Sequence, residues 1–218
     1  MHLLRQDWIA ELFVKRDVFV VARGYPQSAT EMGFQDFYLF QLGFWISCCL
    51  YIFFETRRKD FTEMCIHHFS TVFLISFSYL FHFARPGILI MCLHDLGDIF
   101  LYAAKSAQYR GYKSLADVLF GLFAISFYLA RLLFFPIALV FPLAFSIWKG
   151  KESAAMRVII DHGQGTTLAW LVAALGLLLC LHCMWGTTIA RMVIRTLTSS
   201  EQKRVTENGD PRSGAESD

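Results

Sequence analysis

His67 and His68 stand side by side in one long apolar run, and His94, Asp95 and Asp98 stand in the next. Charge at membrane depth is expensive, so ionisable side chains that persist inside apolar runs are functional candidates by default. A histidine can take a proton from an attacking amine, or can itself attack a thioester to form an acyl-imidazole. An aspartate can fix the imidazole tautomer or pair with a substrate ammonium. Such a set suits acyl transfer between amphiphilic substrates. The rival reading is a buried hydrogen-bond network that merely holds helices together, but four ionisable groups at one depth exceed what such glue requires.

Helical spacing is what would bring these groups to one level. Counted inward from Asp60, His67 lies about 10 Å deep at about 1.5 Å per residue, and Asp98 lies equally far from Lys105 where the next run exits. Asp95 and Asp98 are three residues apart and share a helix face, which Tyr102 extends by a turn; His67 with Thr71 makes a comparable face. Two antiparallel helices would therefore enclose a polar pocket open toward the cytosol, with His94, Thr71 and Tyr102 as further candidates for substrate contact.

The elements that must hold this pocket are membrane spans. The chain has 218 residues, of which 56% are hydrophobic, 16% aromatic and only 17% charged, and its mean hydropathy is +0.45. That composition excludes an ordinary soluble domain and predicts an all-α polytopic transmembrane helix bundle. Five apolar segments are long enough to cross a hydrocarbon core, which takes about 20 helical residues. They fall near 36–54, 65–83, 87–104, 115–141 and 166–194, within a transmembrane domain spanning 36–195. Pro136 and Pro142 interrupt the fourth, which reads as one kinked span; two short spans are the alternative, and would reverse the last segment.

Residues 1–35 contain Trp8, Phe13, Phe19 and a Gly-Tyr-Pro turn at Gly24–Pro26, with no span and no secretory signal of their own; they read as an interfacial cap. Residues 196–218 turn hydrophilic and read as a disordered tail. Basic clusters at Arg57, Arg58 and Lys59, at Lys105, Arg110 and Lys113, and at Arg191, Arg195, Lys203 and Arg204 share one side if five helices alternate. The positive-inside rule makes that side, and the carboxyl terminus, cytosolic. Arg57, Arg58 and Lys59 could also bind phosphates of an acyl carrier at the pocket mouth, although topology alone accounts for them.

Other features point away from metals and disulfides. All six cysteines lie in or beside apolar runs, where they behave as small hydrophobes. Cys180 and Cys183 form a CxxC with no second pair at zinc spacing. A membrane di-iron enzyme needs several HxxxH or HxxHH boxes, which a single HH does not supply. His182, near Trp185 in the last span, reads as a packed, hydrogen-bonded histidine. Nothing suggests a nucleic-acid partner.

The run RRKDFTEMCIHHFSTVFLISFSY, followed by R-x-G and LHDLGDIFLYAAK, resembles the Lag motif of ceramide synthases within the TLC domain. The similarity extends to GYPQS at Gly24–Ser28, RLLFFP ending at Pro136 and LHCMWGTTIARM at Leu181–Met192. The resemblance implies an endoplasmic-reticulum enzyme that transfers a fatty acyl group from acyl-CoA to the amine of a sphingoid base. It needs no cofactor beyond acyl-CoA as co-substrate, and membrane lipids surround it. It implies catalytic roles for His67, His68, Asp95 and Asp98, and chain-length selection by a loop near Lys149–Asp161. His82 stands where the family commonly has Asn, and Tyr102 where it has Glu. The homeobox-like segment and the spans that precede GYP in many relatives are not in this sequence, so a shortened chain is expected. A non-catalytic lipid-binding protein, or a shortened form that pairs with full-length synthases as a homo- or heterodimer and modulates them, is the alternative.

Overall fold

The computed structural model describes residues 11–12, 25–30, 32–54, 60–150 and 154–208. Among them the architecture is helical, with one isolated β-bridge between Gln27 and Phe83. Helix α1 is Gln35–Tyr51, α2 is Phe61–Leu80 and α3 is Ala84–Tyr109. Asp36 in the first turn of α1 and Glu63 in the first turn of α2 complement the positive ends of those helices.

The α2–α3 reversal is tight, and one residue makes it. His82 has φ of 59°, a left-handed conformation that Asn, Asp and His reach more readily than other non-glycine residues. Residues 25–30 lie across this turn. Gln27 N–H donates to the His82 carbonyl (2.8 Å), Ala84 N–H to the Gln27 carbonyl (3.1 Å), and Arg85 N–H to Gln27 Oε1 (3.1 Å), satisfying free donors at the start of α3. Tyr25 donates to the Phe81 carbonyl at 3.1 Å and stacks on Phe83 at 4.9 Å. Burial raises the Tyr25 hydroxyl's pKa, so it remains a donor.

From Lys113 to Lys149 the chain is one uninterrupted helical rod: α4 (Lys113–Phe127), two π-helical segments (Tyr128–Phe134 and Pro136–Val140) and α5 (Phe141–Lys149). The kinked-span expectation describes it better than two short spans. A proline lacks its N–H and crowds the carbonyl one turn back; widening the turn to i→i+5 accommodates both effects without breaking the rod. Helix α6 (Ala154–Asp161) precedes α7 (Gly165–Asn208). Helix α7 carries on past residue 195, through 196–208, where a disordered tail was expected. Threonines there back-bond to the preceding turn, as Thr196 does to Met192 (3.0 Å).

Among the described residues, three helices are long and apolar enough to cross a membrane: Ala84–Tyr109, Lys113–Lys149 and Gly165–Thr198. The chain is thus a multi-pass membrane protein. The other two of the five expected spans, α1 and α2, are shorter at 17 and 20 residues, and α2 carries Glu63, His67 and His68. Aromatic side chains lie exposed at both ends of the bundle, Tyr109 and Tyr112 at one and Trp148 at the other, where amphipathic rings suit headgroup depth.

Lipid tails are as apolar as leucine, so cohesion between helices must come from close packing and polar contacts. Gly87 allows such an approach. A Cβ there would collide with the Tyr38 hydroxyl and lie 2.8 Å from Ser78 Oγ. Tyr38, 1% exposed, donates to the Ala84 carbonyl (3.3 Å) and shares a hydrogen bond with Ser78 (3.2 Å), tying α1, α2 and α3 together. Helix α7 packs against α2, α4, α5, α6 and both π-helical segments, and so closes the core.

Candidate functional site

Five elements converge on the polar groups: α1 with Gln41 and Trp45, α2 with His67 and His68, α3 with His94, Asp95 and Asp98, the first π-helical segment with Arg131, and α7 with His182 and Trp185. His94 is buried, and its Nδ1 lies 2.7 Å from the Ile90 carbonyl. A carbonyl can only accept, so Nδ1 carries the hydrogen and Nε2 of the neutral ring is a lone pair. His182 Nε2 is 3.0 Å from that lone pair and donates to it. Both nitrogens of His94 are therefore committed to the protein. His182, fully buried, is the packed, hydrogen-bonded histidine that its setting in the sequence suggests.

The two aspartates share a face of α3 but have different partners. Asp95 accepts a 2.5 Å hydrogen bond from Gln41 Nε2. Asp98 Oδ1 accepts a charge-assisted bond of 2.6 Å from Arg131, whose guanidinium also donates to the His94 carbonyl at 2.7 Å. Arg131 is 7% exposed and stacks over Phe127, 5.3 Å from the ring centroid. The widened turns of Tyr128–Phe134 place it there.

His67 is clamped between two indole rings, with Trp45 at 5.4 Å and Trp185 at 5.2 Å, both meeting it edge-on. Its Nδ1 is buried without a hydrogen-bond partner. His68 packs on Trp45 at 5.5 Å, and the two imidazoles are 5.8 Å apart. Thr71 donates its hydroxyl to the His67 carbonyl (2.8 Å), so that group is consumed within the helix.

A narrow cavity begins at Trp45, Thr71, His94 and Asp95 and runs between apolar walls to Phe83, Leu143 and Leu168. Its empty space is about 680 Å³, including an open side. From Asp95 to Phe83 along α3 is about 18 Å at about 1.5 Å per residue. The cavity thus occupies the half of the bundle nearer Phe83, whereas the expected pocket opened at the opposite, Asp60 end. The reason lies in side-chain direction. Every Cβ tilts toward its own helix's amino terminus, so His67 and His68 on α2 lean toward Asp60, while His94 and Asp95 on antiparallel α3 lean toward Phe83.

Of the sequence candidates, Asp95, His94 and Thr71 line the cavity, and His67 lies one turn from Thr71 behind Trp45. Asp98 is turned away to Arg131. Tyr102 is 59% exposed, with Lys105 Nζ over its ring at 5.5 Å, and neither it nor His82 lines the cavity. Arg57, Arg58 and Lys59 lie outside the described residues. Cys180 and Cys183 are exposed on the outside of α7, and among the described residues no three His, Cys, Asp or Glu side chains group as metal ligands. Sequence reasoning missed Arg131, Gln41 and Trp45. Arg131 had a signal, as the only basic residue in the apolar run 115–141; Gln41 and Trp45 had none.

Comparison with known proteins gives the arrangement its family. The sequence profile of the TLC domain, shared by TRAM, LAG1 and CLN8, matches residues 2–191. Ceramide synthase 5 of Homo sapiens is 35% identical over 193 residues, covering 88% of this chain and 45% of the human protein. Ceramide synthase LOH2 of Arabidopsis thaliana is 32% identical over 183 residues, 84% of this chain and 60% of that protein. ASC1-like protein 3 of Oryza sativa subsp. japonica is 34% identical over 207 residues, 90% of this chain and 69% of that protein. The chain thus spans 45% and 60% of the length of the first two relatives. It belongs to the TLC-domain family, in which the relatives it matches include ceramide synthases.

Proposed function

We propose that this protein transfers a fatty acyl group from acyl-CoA to the amine of a sphingoid base, forming a ceramide or dihydroceramide. The observation that carries the reading is His67, a buried imidazole with an unpartnered Nδ1, held one turn from a narrow apolar cavity whose polar end bears Asp95. The cavity's length of about 18 Å suits a long acyl tail. The reaction needs two amphiphiles, and they are taken to arrive in turn.

In that sequence His67 attacks the thioester carbonyl, the C–S bond breaks, and coenzyme A leaves as the thiol with the imidazole proton. The sphingoid amine then attacks the acyl-imidazole; the C–N bond to His67 breaks and the imidazole regains a proton from the amine. Asp95 binds the incoming ammonium and takes the one proton whose loss frees the amine lone pair for attack, passing it to solvent after product leaves, and Gln41 fixes the carboxylate. The clamp of Trp45 and Trp185 excludes water, which would otherwise hydrolyse the acyl group. The basic residues Lys105, Arg110 and Lys113 support a cytosolic placement of that end, where acyl-CoA is available, and the endoplasmic reticulum is the membrane this chemistry implies.

Expression in cells lacking their own ceramide synthesis, followed by lipid profiling, tests the function. Ceramides should appear with the wild-type chain and be absent with His67→Ala. No ceramide from a well-expressed wild-type chain refutes the reading.

A further inference from the structure

The proposed transfer gives no part to Arg131, although a cation this buried in a membrane span demands an explanation. Its guanidinium does two things at once. It pairs with Asp98 Oδ1 at 2.6 Å and holds the main-chain carbonyl of His94 at 2.7 Å. The two aspartates meanwhile differ in access, since Asp95 lines the cavity and Asp98 does not.

We infer that Arg131 is a positioning residue that takes Asp98 out of substrate contact and pins the α3 backbone at His94, leaving Asp95 as the carboxylate that receives the substrate ammonium. The inference rests on the acyl-transfer reading above and assigns unequal roles to the paired aspartates. Its physical basis is charge balance. Two carboxylates three residues apart on one helix face repel, and at low dielectric the repulsion is strong. Arg131 cancels Asp98, so the site keeps a single negative charge to match a single ammonium. Because the guanidinium also grips the His94 carbonyl, it fixes the backbone that carries Asp95 next in sequence. Both bonds come from one guanidinium nitrogen, Nη2; a lysine could neutralise Asp98, but it lacks the guanidinium plane that stacks over Phe127 at 5.3 Å and holds that nitrogen in place.

The test uses the purified full chain in detergent, with binding of radiolabelled sphinganine, turnover with acyl-CoA, and melting temperature read on the same samples. Asp95→Asn should weaken sphinganine binding by about tenfold or more, the loss expected for a charge-assisted bond, with melting little changed. Asp98→Asn and Arg131→Gln should each lower the melting temperature and the turnover, because the first strands the buried Arg131 guanidinium and the second leaves the part-buried Asp98 carboxylate unpaired. The double variant Asp98→Asn/Arg131→Gln should regain melting temperature relative to either single one, keep a low turnover because nothing grips the His94 carbonyl, and bind sphinganine within about threefold of wild type, under the about 1.4 kcal/mol of a tenfold change. Arg131→Lys should keep sphinganine affinity yet lose turnover. The inference is overturned if the double variant binds sphinganine as poorly as Asp95→Asn, if Asp95→Asn binds it normally, or if the two stranded charges fail to rescue each other in melting. A wild-type chain that binds sphinganine but makes no ceramide refutes the transfer reading alone; the binding and melting comparisons still decide the roles of Arg131 and the aspartates.

Discussion

His94 and His182 meet Nε2 to Nε2 at 3.0 Å across α3 and α7, and the Ile90 carbonyl settles which of the two donates. The bond consumes the one His94 nitrogen left free by its own helix. An imidazole with both nitrogens engaged orients its neighbours and takes no proton from a substrate, which separates His94 from His67.

Removing the donor leaves a buried lone pair. His182→Ala should cost about 1–3 kcal/mol for the unsatisfied acceptor, with more for the void. His182→Gln retains an N–H donor and should recover part of that loss. Melting temperatures of the detergent-purified variants measure both.

At Gly87 of α3 the Tyr38 side chain of α1 occupies the space a Cβ would need. Gly87→Ala should destabilise by about 1–3 kcal/mol, as overpacking does, because the new methyl meets the Tyr38 hydroxyl and Ser78 Oγ. Combining it with Tyr38→Phe removes one obstructing atom and should return part of the stability, which a melting-temperature cycle reads.

Thr71 illustrates a lining residue whose polar group is already spent. Since its hydroxyl back-bonds to the His67 carbonyl, Thr71→Val should change ceramide formation by less than about tenfold, the effect of losing about 1.4 kcal/mol of transition-state binding. A larger loss in kcat/KM would mean that the hydroxyl touches substrate.

The far end of the cavity predicts substrate length. Leu168 and Phe83 stand there, so Leu168→Trp should discriminate against the longest acyl-CoA accepted by about tenfold, the scale set by excluding a methylene or two from an apolar pocket. Competition between acyl-CoAs of different length measures it.

Much of this was legible in the sequence. Apolar runs located the helices, and misplaced histidines and aspartates in two of them marked the site. Depth counting put His67 and Asp98 at one level but ignored the tilt of Cβ along antiparallel helices, so it opened the pocket at the Asp60 end although His94 and Asp95 lean toward Phe83. Arg131 was visible as a lone basic residue, yet its partner was not. The π-helical turns around it shift the facing of side chains away from any 3.6-residue pattern, and the salt bridge joins residues far apart in the chain. Gln41 and Trp45 matter only through the packing of α1 on α2 and α3, which no local pattern encodes.

In the proposed transfer His67 is the group that carries the acyl chain between substrates. Intact-mass spectrometry of the purified chain after exposure to acyl-CoA alone tests this most directly. The account predicts one added acyl mass on the wild-type chain, discharged by sphinganine, present in Asp95→Asn and absent in His67→Ala. An adduct that persists in His67→Ala, or ceramide formation by a wild-type chain that never acquires the adduct, would contradict it.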